Sequence, residues 1–262
     1  MSIIGFIFLF SNLKLNIRDS SNCSIEGLKY ELKVFNIVKH CYINNKLFNT
    51  QNKEDLGGCK YNNDIECNFN SYNDIPIEIK KINTPDWMQC SLKYNKENKK
   101  WLGSSKNKIP YKSKQLFEML IKDMKLFNGN IPPFMIKNIT YNNWREIKNN
   151  NNNFNDIYIN CPNTTIKDLY TNKGCYYIQI SKKGLYHLGN DICNFNVPEF
   201  ICKQQLRIRI KIHNKKNKKG YCNLSVIISC KPENIKNLVL SSFTLDNINK
   251  LPLNLYYNYT IK

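Results

Sequence analysis

The chain has 262 residues, 42% of them apolar, and a formal net charge of +19 from 39 Lys and Arg against 20 Asp and Glu. That apolar share is enough to build a core and argues against a disordered chain. The charge would suit an anionic partner, but alanine is absent and Asn, Lys and Ile are heavily used, a bias that AT-rich codons produce. The positive excess therefore does not by itself establish such a partner, and no nucleic acid is expected.

At the N-terminus, residues 3–10 form an apolar run of signal-peptide length, so residues 1–20 are expected to be a leader, although a basic start and an A-x-A cleavage site are missing. A buried first strand is the alternative. No later stretch approaches the roughly 20 apolar residues of a membrane helix, and the C-terminus lacks the tail of a lipid anchor. Eleven cysteines in 262 residues suit a secreted chain held by disulfides. None is spaced as CxxC and none forms a zinc-finger cluster with His, so a metal is not expected. N-x-S/T acceptors for glycosylation stand at Asn22, Asn138, Asn163, Asn223 and Asn258, though with this much asparagine chance alone supplies about four.

In chain order, Leu28, Tyr30, Leu32 and Val34 alternate with charged residues and predict a strand. Cys41-Tyr-Ile follows as a short strand, then a polar loop through Gly57-Gly58 to Cys59 and Cys67. Ile75-Pro-Ile-Glu-Ile79 reads as a strand in which Pro76 argues for an edge or a strand start. Residues 87–92 close the first set of strands. Residues 113–127 carry Phe117, Ile121 and Met124 at helical spacing, with Ser113 as N-cap. The asparagine run at 149–153 reads as a flexible loop. Three further strands are expected at 175–180, 206–212 and 225–230, the second alternating Leu206, Ile208, Ile210 and Ile212 with Arg207, Arg209 and Lys211. Residues 238–245 read as a strand.

The cysteines suggest an internal repeat. An offset of 134 carries Cys41 onto Cys175 and Cys59 onto Cys193, 135 carries Cys67 onto Cys202, 132 carries Cys90 onto Cys222, and 138 carries Cys23 onto Cys161. The expectation is an all-β chain of two tandem disulfide-stapled β-sandwich domains, residues 21–127 and 128–262. The alternative is that two cysteine-rich β segments simply slide into register.

The catalytic inventory is thin. His40, His187 and His213 are the only histidines, none in HExxH, and GxSxG, a P-loop and a Gly-rich dinucleotide turn are missing. No enzyme and no cofactor are expected. The sharpest electrostatic feature is the basic run 211–220, where Lys215, Lys216, Lys218 and Lys219 suit a heparin-like glycan or acidic headgroup. The plainer reading is a solvated hairpin loop eased by Gly220.

Ile157-Tyr-Ile-Asn-Cys161-Pro, then Gly174-Cys175-Tyr, then Phe200-Ile-Cys202 after Val197-Pro, resembles the six-cysteine β-sandwich family of malaria-parasite surface proteins. The close C-x-C usual near the end of that domain is absent here. The resemblance implies the pairs Cys161–Cys175, Cys193–Cys230 and Cys202–Cys222, with Cys23, Cys41, Cys67 and Cys90 also in disulfides. It implies a secreted or surface-held, non-enzymatic binding subunit of a red-cell adhesion and invasion complex, covalently paired with a membrane-anchored protein. Copy one lacks a counterpart of Cys230, so under the family's third-to-sixth pairing Cys59 is left over as the intermolecular cysteine. A local Cys59–Cys67 bridge or an unpaired buried thiol is the alternative.

Overall fold

The computed structural model describes residues 22–49, 64–69, 72–106 and 108–259. The first half runs α1 (Asn22–Val38), β1 (Cys41–Ile43), β2 (Lys46–Leu47), β3 (Ile65–Phe69), β4 (Tyr72–Lys80), β5 (Trp87–Asn95), β6 (Lys100–Gly103) and α2 (Tyr111–Ile121). The second runs α3 (Tyr141–Asn150), β7 (Ile157–Asn160), α4 (Thr165–Asn172), β8 (Tyr177–Ile180), β9 (Gly184–His187), β10 (Gln204–Asn214), β11 (Asn223–Pro232) and β12 (Leu255–Tyr257). The fold is mostly β, in three sheets of order β12-β1-β2, β6-β5-β11-β10-β7 and β3-β4-β8-β9.

These sheets do not divide at residues 127 and 128. β1 pairs with β12, β5 with β11, and β4 runs parallel to β8 from Ile77 opposite Tyr177 to Lys80 opposite Ile180. The expected tandem boundary therefore cuts through all three sheets. Each half does run helix, short hairpin, long hairpin, as α1, β1–β2, β3–β4 and then α4, β8–β9, β10–β11, but the cysteine offset would set β4 and β5, not β3 and β4, onto β10 and β11. The short hairpin of the second half joins the long hairpin of the first in one sheet.

The four-stranded sheet is the middle layer, because strand side chains alternate between faces. Ile178, Ile180 and Tyr186 point into a core shared with the five-stranded sheet, α2 and α4, where Trp87, Phe117, Leu169, Leu206 and Ile228 are buried. Ile75, Ile77, Ile79 and Tyr177 point the other way, into a core closed by α1 and the three-stranded sheet.

Several elements depart from their sequence readings. The predicted strand at 28–34 is part of α1, because the buried residues include Tyr30, Val34 and Val38, four apart, with Phe35 beside them on one helix face. α2 begins after Pro110, not at Ser113, whose buried hydroxyl donates to Leu169 O at 3.0 Å and locks α2 to α4. It ends at Ile121, before Phe127 and Asn128, which have positive φ. The asparagine run closes α3 and forms a 3-10 turn at Asn152–Phe154. Residues 238–245 form no strand: Val239 and Leu240 are exposed, and backbone groups of 241 and 243 bond the β8–β9 turn. Pro76 lies in an interior strand; the β8 ladder begins only at Ile77, so no N–H is needed from Pro76, and its carbonyl accepts from Tyr176 N. The leader expected at 1–20 lies outside the described residues.

One polar cluster is buried where β4 meets α4. Glu78 is 3% exposed and is held by Lys80 and by Lys173, whose Nζ donates to Oε2 at 2.7 Å. Burial disfavours its charge, but the two ammonium groups outweigh that and lower its pKa to about 2. Asp64 completes the neutralisation 3.7 Å from Lys80 and accepts from Ile79 N. Glu31 on α1 faces this cluster; burial, then the Asp64 charge, raise it to about 7.

Candidate functional site: the basic end of the five-stranded sheet

The register of the five-stranded sheet sets two hairpin turns side by side. Val226 on β11 lies opposite Leu92 on β5, so the start of β11 and the end of β5 share one end of the sheet. The β5–β6 turn, closed by Asn95 opposite Lys100, therefore neighbours the β10–β11 turn, closed by Ile212 opposite Leu224. The first carries Lys96, Lys99 and Lys100 and the second Lys215, Lys216, Lys218 and Lys219, all exposed; Glu97 is the one acid in either turn.

Asparagine side chains shape both turns, as expected of a residue that bonds the backbone two positions on. Asn95 Oδ1 accepts from Glu97 N and Asn98 Oδ1 from Lys100 N. In the longer turn Asn214 Oδ1 accepts from Lys216 N, and Asn217 Oδ1 from Lys219 N and Tyr221 N. The turn is braced from outside as well: Cys222 N donates to Ile139 O at 2.9 Å, and the Lys215 ammonium lies 5.0 Å from the Tyr141 ring centroid. Among the described residues no carboxylate pairs with any of its four lysines.

The adjoining sheet face continues the charge but anchors it. Arg207 and Arg209 both bind the buried Asp86, at 3.1 and 2.9 Å, and Arg207 also binds Asp156 at 2.6 Å. Beyond them lies Lys211, with which no carboxylate among the described residues pairs, and His213 Nε2 is 2.6 Å from Ser225 Oγ. Burial, with Lys211 and Arg209, lowers the His213 pKa. On α3, Arg145 and Lys148 follow Tyr141 by four and seven residues, hence on the face that meets Lys215.

No family model, curated protein or solved structure matches this chain. The assignment of the site rests on its own geometry. Sequence reading found Lys215, Lys216, Lys218 and Lys219, and the structure places all four on the expected hairpin loop. It missed Lys96, Lys99 and Lys100, because only strand order brings that turn alongside; the doublet Lys99-Lys100 was the available signal.

The cysteines fall into groups that the sequence offset did not anticipate. Cys41, Cys67 and Cys193 are buried in the second core, close enough that the first and third each help raise the Cys67 pKa after burial itself. Cys161 lies against Cys230, with Sγ atoms 4.0 Å apart, and Cys202 is near both. Cys175 instead faces Glu78, 4.0 Å away, and Cys193 and Cys230 belong to different cores. Cys90 lies beside Ser91, and Cys222 at the foot of the basic turn. Cys59 and the Cys23 side chain lie outside the described residues. No group of three or more described His, Cys, Asp or Glu residues is arranged to hold a metal, and no described helix is long and apolar enough to cross a membrane.

Proposed function

We propose that this chain is a non-enzymatic extracellular binding subunit whose ligand is an anionic surface, with sulfated glycan as the chemical class. The observation that carries the reading is the convergence of seven exposed lysines from two adjacent, internally braced turns against one acid. Codon bias supplies lysine everywhere, but it does not gather lysines at one end of one sheet or leave them without carboxylate partners among the described residues. Bracing also matters for affinity, because a turn already held by its own side chains loses little conformational freedom on binding. The resemblance to six-cysteine surface proteins supports the adhesive setting, in which this end of the molecule faces the opposing cell and an anchored partner holds the rest.

The test is binding of a heparin-derived oligosaccharide to the full chain and to the variant Lys215→Glu, Lys216→Glu, Lys218→Glu, Lys219→Glu. Four exposed contacts of about 0.5 kcal/mol each put the expected loss near 30-fold. A control reversing four exposed lysines elsewhere, Lys122, Lys125, Lys236 and Lys250, changes net charge equally and is expected to retain most of the affinity. Equal loss in the two variants would reduce the interaction to bulk charge and remove the site.

A further inference from the structure

The Cys161–Cys230 contact joins two elements that are not neighbours in the sheet. Cys161 follows β7 directly, Cys230 lies on β11 opposite Leu206, and β10 runs between their strands. The two sulfurs nevertheless meet at 4.0 Å. A disulfide is about 2.05 Å long, so closing it takes roughly 2 Å of sulfur movement. Cys161 can supply that movement, since it belongs to neither β7 nor α4.

Their surroundings differ in a way that assigns roles. Cys161 is half-buried, and Cys230 is fully buried. The sulfur–sulfur contact with Cys230, with help from Thr165, lowers the Cys161 pKa against burial and against the Glu233 charge. The same contact and burial raise Cys230. The more accessible sulfur is thus also the one held closer to its thiolate, which is the nucleophilic form. Oxidation leaves no buried polar group stranded: Gln204 Oε1, 3.2 Å from Cys230 Sγ, keeps its bond from Ile166 N at 2.6 Å.

We infer that Cys161 and Cys230 are an oxidisable dithiol that closes to a disulfide across β10, with Cys161 as the attacking sulfur. The oxidant is an external low-molecular-weight or protein disulfide, RSSR. The Cys161 thiolate attacks one of its sulfurs, forming a mixed disulfide and expelling RS⁻. Cys230 then loses its proton to solvent and attacks Cys161 Sγ, expelling the second RS⁻. Two protein thiols and RSSR give one protein disulfide and two RSH.

The experiment uses the reduced, folded, full-length chain and glutathione disulfide. Peptide mapping without reductant is expected to join residues 149–167 to residues 220–236, with fragmentation placing the bond on Cys230 and not on Cys222. Before oxidation, iodoacetamide is expected to label Cys161 at least about tenfold faster than Cys230, and oxidation should abolish that labelling. In Cys230→Ser the glutathione adduct on Cys161 should accumulate; if that variant does not fold, the wild-type map decides alone. A bond from Cys161 to Cys175 or Cys202, or a Cys161 still alkylated after oxidation, would overturn the assignment.

Discussion

Glu31 and Glu78 belong to one charged cluster yet titrate in opposite directions, and this can be measured. Glu31 is raised to about 7 from an ordinary 4.5, so the folded chain holds a proton there that the unfolded chain has released. Its contribution is favourable at pH 4.5 and is lost as pH rises through 7. Glu31→Gln should therefore match the wild type near pH 4.5 and exceed it by about 2 kcal/mol above pH 7.5, read from urea midpoints. Glu78 is lowered to about 2, so its contribution is present above pH 4.5 and lost as pH falls toward 2. Glu78→Gln takes the carboxylate from buried Lys173 and leaves Lys80 with Asp64 alone, 3.7 Å away, and should cost about 3–5 kcal/mol at pH 7. An unchanged midpoint in both variants at pH 7.5 would show that these residues do not face each other as described. None of this cluster was legible in the sequence, because Glu78 occupies one slot of an alternating strand that normally faces water. Its burial comes from α4 packing over that face.

Among the elements, legibility followed how many faces each one buries. β10 has one face in the core and one toward solvent, so its alternation was plain, and β11 and their hairpin turn followed from it. α1 misled because alternation over seven residues resembles a strand, while the residues that decide, Val34 and Val38, are four apart. The β8–β9 hairpin was half visible: β8 was expected, but not that its turn anchors the C-terminal segment. There Gly184 has φ +102°, and a Cβ would come within 2.5 Å of Phe243 O. Leu185 N donates to that same carbonyl, and Ser241 N donates to Lys183 O. Gly184→Ala should cost about 2 kcal/mol, through an unfavourable left-handed conformation and a backbone clash. A thermal midpoint within a degree of wild type would contradict this account of the turn.

For the molecule as a whole, the cysteine offset pointed to two tandem copies where the strands interleave, since strand partners cannot be read from a pattern of side chains. The interleaved sheets matter for the proposed site because they place the β5–β6 and β10–β11 turns together, from halves that the sequence appeared to separate. The claim that this end binds a sulfated glycan is tested most directly by the salt dependence of heparin-oligosaccharide affinity, measured on the wild type and on the Lys215, Lys216, Lys218, Lys219 reversal between about 50 and 300 mM NaCl. Counterion release gives roughly one unit of slope in log affinity against log salt for each lysine engaged. The account predicts a wild-type slope of about −4 to −6 that falls by about four in the variant. A slope near zero, or one that the reversal leaves unchanged, would contradict it.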